Sequence, residues 1–350
     1  MPQNHTAPAE PKPEQTPAAP PGPRLSLRQW VQLGVLVLTL ALGVQFYIFV
    51  TQAAGPGPVT VPRPPGVEGF LPIGAVMGWK LFLQTGFWDP VHPAAMVILG
   101  FAALISLLLR KSFCSWFCPV GTVSEWLWRL GRRLWGKNPR MPRWLDIPLR
   151  GLKYALLGYF LWIIYNMSVM AILGFLHSPY YKVSDVKMLF FFTRMTGLTA
   201  AVLGGLVLLS LVFRNFWCRY LCPYGALMGL LALVGPTRLE RDQERCIDCG
   251  RCARACPYHL PVDKKARILS PECSACLDCA RACPVEGTLA LRTLPVRRAA
   301  WTPRALALVV VGLFVGLTYL ATISGHWQSQ LSLGEFRANL RHIDMLEHPR

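Results

Sequence analysis

The chain has 350 residues, of which 53% are hydrophobic and 15% charged, with a formal net charge of +18. An ordinary soluble domain carries about a quarter charged residues, so the composition excludes a typical soluble globular protein. The large positive charge suggests nucleic acid, but its distribution along the chain excludes that reading too.

Residues 1–30 open with a Pro- and Ala-rich stretch, 1–23, that is too poor in large apolar side chains to build a core; a disordered tail is expected there. Five later runs reach the roughly 17–25 apolar residues that a membrane crossing takes. They are 31–50, 93–109, 154–176, 197–213 and 305–323. The first is long for the apolar core of a signal peptide and reads as an uncleaved signal anchor. Segment 66–88 contains Glu68 and Lys80 and reads as an interfacial or re-entrant element, not a sixth span.

Five crossings from an inner N-terminus place 1–30, 110–153 and 214–304 inside, with 3, 10 and 15 Lys plus Arg. The outer segments 51–92, 177–196 and 324–350 hold 2, 3 and 3. Lys and Arg gather on the cytoplasmic side. The charge therefore reports orientation. It sets a multi-pass protein in the inner (cytoplasmic) membrane, with the C-terminus on the outer or periplasmic side. The Trp and Tyr residues at span ends fit an interfacial belt. The basic stretch from Arg129 to Lys153 fits anionic lipid, or an acidic redox partner, at the inner surface.

All twelve cysteines fall on the inner side, a reducing compartment, which disfavours a disulfide framework and favours metal or redox chemistry. Between spans two and three lies "RKSFCSWFCPVG", and after span four lies "RNFWCRYLCPYG". A shift of 104 residues superposes Arg110 on Arg214, Cys114 on Cys218, Cys118 on Cys222, Pro119 on Pro223 and Gly121 on Gly225. This is an internal duplication of a span with a C-x3-C-P exit. Cysteines at i and i+4 share one face of a helix; Pro would stop that helix and Gly would let the chain turn. Cys114, Cys118, Cys218 and Cys222 are thus candidates for a further metal centre, such as a third iron–sulfur cluster, or for redox thiols; four in register argue against mere packing.

Residues 246–256 read "CIDCGRCARAC" and 273–283 read "CSACLDCARAC", each followed by Pro. This is the C-x2-C-x2-C-x3-C-P run of bacterial ferredoxins, whose fourth cysteine ligates the other cluster. The spacing assigns Cys246, Cys249, Cys252 and Cys283 to one [4Fe–4S] cluster and Cys273, Cys276, Cys279 and Cys256 to a second. Zinc sites use two spaced C-x2-C pairs and do not show this pattern.

Paired C-x3-C-P exits followed by a two-cluster module resemble the membrane polyferredoxins of the NapH, NosR, CcoG and YccM type, over roughly residues 85–290. The resemblance implies electron transfer at the membrane, often linked to the quinone pool or to a respiratory reductase. The chain shows no large flavin domain before span one, as in NosR, and no C-terminal immunoglobulin-like domain, as in CcoG. It has one span more than the usual NapH, so the compact YccM arrangement is the nearest.

The expected fold is a five-span all-α membrane protein with a small α+β two-cluster ferredoxin-like domain on the cytoplasmic side. Its parts are a tail (1–30), a transmembrane region (31–235), the cluster domain (236–295), and a fifth span with an outer tail (296–350). Asp89 and His92, in "WDPVHPAA", and His177, in "LHSPYY", are candidates for a quinone or haem site at the outer mouth; "DP" and "HP" are also ordinary turn signals. No dinucleotide, phosphate-loop or serine-nucleophile motif is present, so electrons come from or go to another molecule. The expected function is an iron–sulfur electron carrier or quinol dehydrogenase component. The alternatives are a CcoG-like cupric reductase and a membrane redox sensor.

Overall fold

The computed structural model describes residues 25–294 and 300–346; the Pro/Ala-rich segment 1–23 lies outside them. Helix α1, Leu27–Ala54, opens with Gln29 Oε1 accepting from the Ser26 amide at 2.9 Å. A 3-10 turn, Pro65–Phe70, leads to α2, Pro72–Thr85, which ends at left-handed Gly86. Its 14 residues rise about 21 Å, short of the roughly 30 Å hydrocarbon core. Helix α3, Pro93–Leu109, carries Pro at its first position, where the missing N–H costs nothing.

After α3 the chain makes a π-turn, Phe113–Phe117, and enters α4, Pro119–Trp135. Helix α4 is amphipathic: Val120, Val123, Leu130 and Leu134 are exposed, while Arg129, Arg132 and Arg133 lie on other faces. Such a helix lies along a membrane surface. Then come α5, Arg143–Asn166; α6, Val169–Leu176; α7, Pro179–Lys182; α8, Ser184–Thr193; and α9, Gly197–Val212, bent 78° from α8. A second π-turn, Trp217–Leu221, precedes α10, Pro223–Val234.

Strand β1, Thr237–Arg241, is followed by α11, Arg251–Ala255; β2, Arg267–Ile268; α12, Asp278–Arg281; and β3, Leu289–Thr293. The sheet is antiparallel in the order β2-β1-β3, with Leu239 opposite both Ile268 and Leu291. Helices α13, Pro303–Ile323, and α14, Leu333–Arg341, complete the described chain.

Three helices, α1, α5 and α13, are long and apolar enough to cross a membrane, and the bent pair α8–α9 makes a fourth if taken as one span. Helix α3, the expected second span, is apolar but has 17 residues. The expected third span, 154–176, is corrected: the helix runs from Arg143 to Asn166 and is broken before α6. The break has a physical cause. Lys80 donates its ammonium protons to the carbonyls of Ile164, Tyr165 and Met167 at 2.8, 2.9 and 2.6 Å, and Ser168 caps the next helix by accepting from Ala171 N at 3.2 Å. Arg143, Asp146, Arg150 and Lys153 hid the true start, because all four are paired or lie at the surface instead of facing lipid.

One apolar core joins the helices to the small sheet, including Ala102, Ile105, Trp116, Leu239, Leu291 and Leu306. Arg28 at the start of α1 reinforces the joint. It forks onto Glu125 of α4 (2.6 and 2.7 Å) and reaches Asp278 of α12 at 3.0 Å. Both ends of the Arg28–Glu125 pair are buried, and breaking such a pair costs about 3–5 kcal/mol.

Candidate metal centre

The two ferredoxin-type loops share an unusual backbone. Asp248 and Gly250 flank Cys249 with φ of 52° and 66°, and Ala275 and Leu277 flank Cys276 with φ of 50° and 60°. Left-handed residues on both sides of the middle cysteine wrap each loop around one point. Cys246, Cys249, Cys252 and Cys283 line a single cavity together with Asp248 and Asp263. Cys256 instead lies within electrostatic reach of Cys273 and of Cys279, which also faces Cys276. The fourth cysteine of each loop therefore sits with the other loop's three.

All twelve thiols are free. Among the described residues no three His, Cys, Asp or Glu side chains converge on one point as the ligands of a single ion would. A four-iron cube spreads its thiolates more widely than a zinc ion does, so this donor set fits the iron–sulfur group.

The C-x3-C-P exits depart from the expected helical face. Cys118 N donates to Phe113 O at 2.9 Å and Cys222 N to Trp217 O at 3.0 Å, the i to i−5 bonds of a π-turn. Pro119 and Pro223 do not end these turns; each is the first residue of the next helix, with Cys118 and Cys222 as N-caps. The thiol thereby meets the amide-rich end of a helix: Gly225 N donates to Cys222 Sγ at 3.2 Å. At Gly121 a Cβ would fall 2.3 Å from Cys114 O, so this glycine serves close approach and not a turn.

The four exit cysteines act on one another electrostatically. Phe101, Phe113, Phe117, Phe314 and Tyr224 pack in one core with Cys114 and Cys118, with the ring centroids of Phe117 and Phe314 4.4 Å apart. Burial raises the pKa values of the four thiols, that of Cys118 to about 11 against donated bonds from Gly121 and Val120. As bare thiols they stay protonated and poorly nucleophilic at neutral pH.

Sequence reasoning missed a buried cation beside them. Lys111 is 1% exposed, faces Cys114 and Cys218, and lies 3.5 Å from Glu272 and 5.5 Å from the Tyr258 ring. Lys153 also binds Glu272. Burial works to raise the Glu272 pKa, but the two ammonium groups overcome it and hold the carboxyl down at about 2. Three oppositely charged, sequence-distant residues leave no pattern; the only signal was the Glu directly before Cys273.

Both exits fasten to the same set of cysteines. From the first, Ser115 Oγ donates to Ser274 O at 2.6 Å and Trp116 Nε1 to Ala275 O at 3.1 Å, inside the Cys273–Cys279 loop. From the second, Arg219 donates to Tyr258 O, and Arg214 Nη1 to Cys256 O at 3.4 Å.

At the other end of α3, Asp89 and His92 lie in one buried network and His177 does not. Asp89 accepts from Tyr181 Oη at 2.5 Å and from Val91 N at 2.8 Å. His92 has partners at both nitrogens: Arg63 (3.2 Å) and Glu68 (3.4 Å) at Nδ1, Tyr181 O (2.8 Å) and Ser184 Oγ (3.2 Å) at Nε2. Burial alone would lower its pKa, yet Glu68 raises it. His177 is exposed, with Nδ1 2.8 Å from the carbonyl oxygen of Leu173.

Known proteins match the same regions. A 4Fe-4S binding domain model matches residues 91–138 and 195–241, one exit each, and a 4Fe-4S dicluster domain model matches 238–284. YccM of Escherichia coli K12, whose name places it in electron transport, is 42% identical over 329 residues, 92% of this chain and 91% of that protein. The regulatory protein NosR of Pseudomonas aeruginosa is 31% identical over 201 residues, 56% of this chain and 26% of NosR. The ferredoxin-type protein NapH of Haemophilus influenzae is 29% identical over 198 residues, 52% of this chain and 63% of NapH. No solved structure matches the chain. With its duplicated exits, its crossed cysteine loops and a near full-length relative in YccM, the chain belongs to the membrane polyferredoxin family, the iron–sulfur electron-transport proteins that include YccM, NapH and NosR.

Proposed function

We propose that the chain passes single electrons between the membrane quinone pool and a redox partner in respiration or assembly, with its cysteine domain on the cytoplasmic face. The observation that carries this reading is the double grip: both membrane exits bond to the loops of Cys256, Cys273, Cys276 and Cys279. That set is the membrane-proximal one. The set of Cys246, Cys249, Cys252 and Cys283 lines an open cavity, the side a soluble partner reaches. Each set would hold one [4Fe–4S] group, which supplies reversible one-electron storage when bound.

Cys114, Cys118, Cys218 and Cys222 would hold a third metal centre. Their burial makes them poor free thiols, and Lys111 offsets the negative charge of a thiolate-held group. The aromatic rings that share a core with Cys114 and Cys118 would help keep water from it. The excess of Lys and Arg in the segments on the cysteine side supports the cytoplasmic placement.

The test is anaerobic purification with iron analysis and EPR of the reduced protein. Two cubanes give about eight irons per chain and a third about twelve; a value near zero ends the reading. Adding a short-chain quinol to the oxidised protein should produce the reduced EPR signals. Reduction by dithionite alone would remove the quinone from the proposal and keep the clusters.

A further inference from the structure

A cavity opens where the first turn of α5 meets the chain leaving α9, and Arg140, Arg143, Asp146, Arg214, Arg219 and His259 are among its walls. Four guanidinium groups thus face one carboxylate. That carboxylate is already engaged: Asp146 takes Arg219 at 2.9 and 3.1 Å, Arg150 at 3.0 Å and the Tyr220 hydroxyl at 2.6 Å. Among the described residues no carboxylate pairs with Arg140, Arg143 or Arg214.

The walls also hold unmet donors and strain. Arg214 Nε and His259 Nδ1 are buried without a hydrogen-bond partner. His259 keeps a left-handed backbone at φ 53°, a conformation that non-glycine residues seldom adopt and that clusters at ligand-holding positions. Like charges crowded at one cavity repel, and an anion would relieve them.

Trp144 and Ile147 of α5 are 75% and 62% exposed beside the cavity, and the amphipathic α4 ends at Trp135, four residues before the first wall residue, Pro139. Such exposed apolar and aromatic residues beside cations suit the headgroup region of a membrane. Guanidinium groups match phosphate oxygens in pairs, which lysines do not.

We propose that this cavity binds a phosphate group, supplied in the membrane by the headgroup of an anionic phospholipid. The site stands independently of what the cysteines hold.

The test uses the full chain, purified anaerobically in neutral detergent and titrated with dihexanoyl phosphatidylglycerol and with inorganic phosphate, binding being read by calorimetry. Saturable binding is expected, weakened at least tenfold in the double variant Arg140→Gln/Arg143→Gln. Both residues are exposed, so folding should persist, as an unchanged melting curve would verify. Arg214→Lys, which keeps the charge and loses the paired geometry, should weaken binding about threefold. Arg194→Gln, exposed after α8 and outside both the cavity walls and the charges that act on Arg214, should bind like the unmodified chain. Binding of both probes in competition assigns the phosphate group itself; binding of the lipid alone assigns the headgroup; binding of inorganic phosphate alone assigns a soluble phosphate compound. No saturable binding of either, or equal affinity in the double variant, overturns the proposal.

Discussion

The two C-x3-C-P exits share a backbone and five aligned residues and differ in the remaining side chains that reach the cysteine loops. Each is a π-turn closed by a cysteine amide, followed by a helix that begins at proline and is capped by the second cysteine. The first copy then commits its serine and indole to the Cys273 loop, while the second commits two arginines to the carbonyls around Cys256. Duplication preserved the geometry that presents sulfur. Divergence of the intervening residues let the copies clamp opposite flanks of one cysteine set. The crossing of the fourth cysteines makes this economical, because Cys256 belongs with the Cys273 loop.

The largest test removes sulfur from one copy at a time. Cys114→Ser with Cys118→Ser should lower bound iron by about four per chain, as should Cys218→Ser with Cys222→Ser, if the copies share a single cubane. All four together should lose no more than either pair. Additive losses, measured by iron and sulfide analysis, would mean two independent sites. Next is Arg28→Met, which strips the buried Glu125 of its forked partner, leaves it only Arg129 and Gln32, and should destabilise the joint below the first copy by about 3 kcal/mol in denaturant unfolding of the detergent-solubilised chain.

Glu272 gives a pH test. Its folded pKa of about 2 lies below the 4.5 of an ordinary Glu, so its contribution is full above about pH 4.5 and fades as the pH falls toward 2. Glu125 behaves alike, because Arg28 and Arg129 outweigh its burial and hold it at about 2. Melting temperature should therefore fall as the pH drops from about 4.5 toward 2, and Glu272→Gln should flatten that slope; an unchanged slope would show that the buried triad carries no linkage. The smallest effects separate the two clamps. Arg219→Lys loses a forked charge-assisted contact and should cost about 2–3 kcal/mol, whereas Ser115→Ala loses one neutral bond and should cost about 1 kcal/mol, both read from unfolding midpoints. Equal costs would mean that the copies have not specialised.

Much of this was legible in the residues. Cysteine spacing names its chemistry because a cubane imposes its own geometry, and a shift of 104 residues exposes the duplication without any fold. Apolar runs located α1, α9 and α13 closely. They failed at α5, where Asp146, Arg150 and Lys153 pair with one another or with distant partners and Arg143 is exposed, inside a helix that hydropathy cuts short. The π-turns were invisible because i+4 spacing suits an α-helix equally well. The Lys111–Glu272–Lys153 group and the arginine cavity escaped for a single reason: their members come from segments far apart in sequence.

The paired left-handed residues at Asp248, Ala275 and Leu277 bear on biogenesis. Each resists its conformation by about 1–2 kcal/mol, whereas the membrane helices themselves form from ordinary backbone. A newly inserted chain can therefore complete its membrane portion first and wait, with residues 246–283 as the last stretch to settle. Iron delivery then becomes a late checkpoint, and a protease that samples unfinished copies would cut in that stretch while sparing the spans.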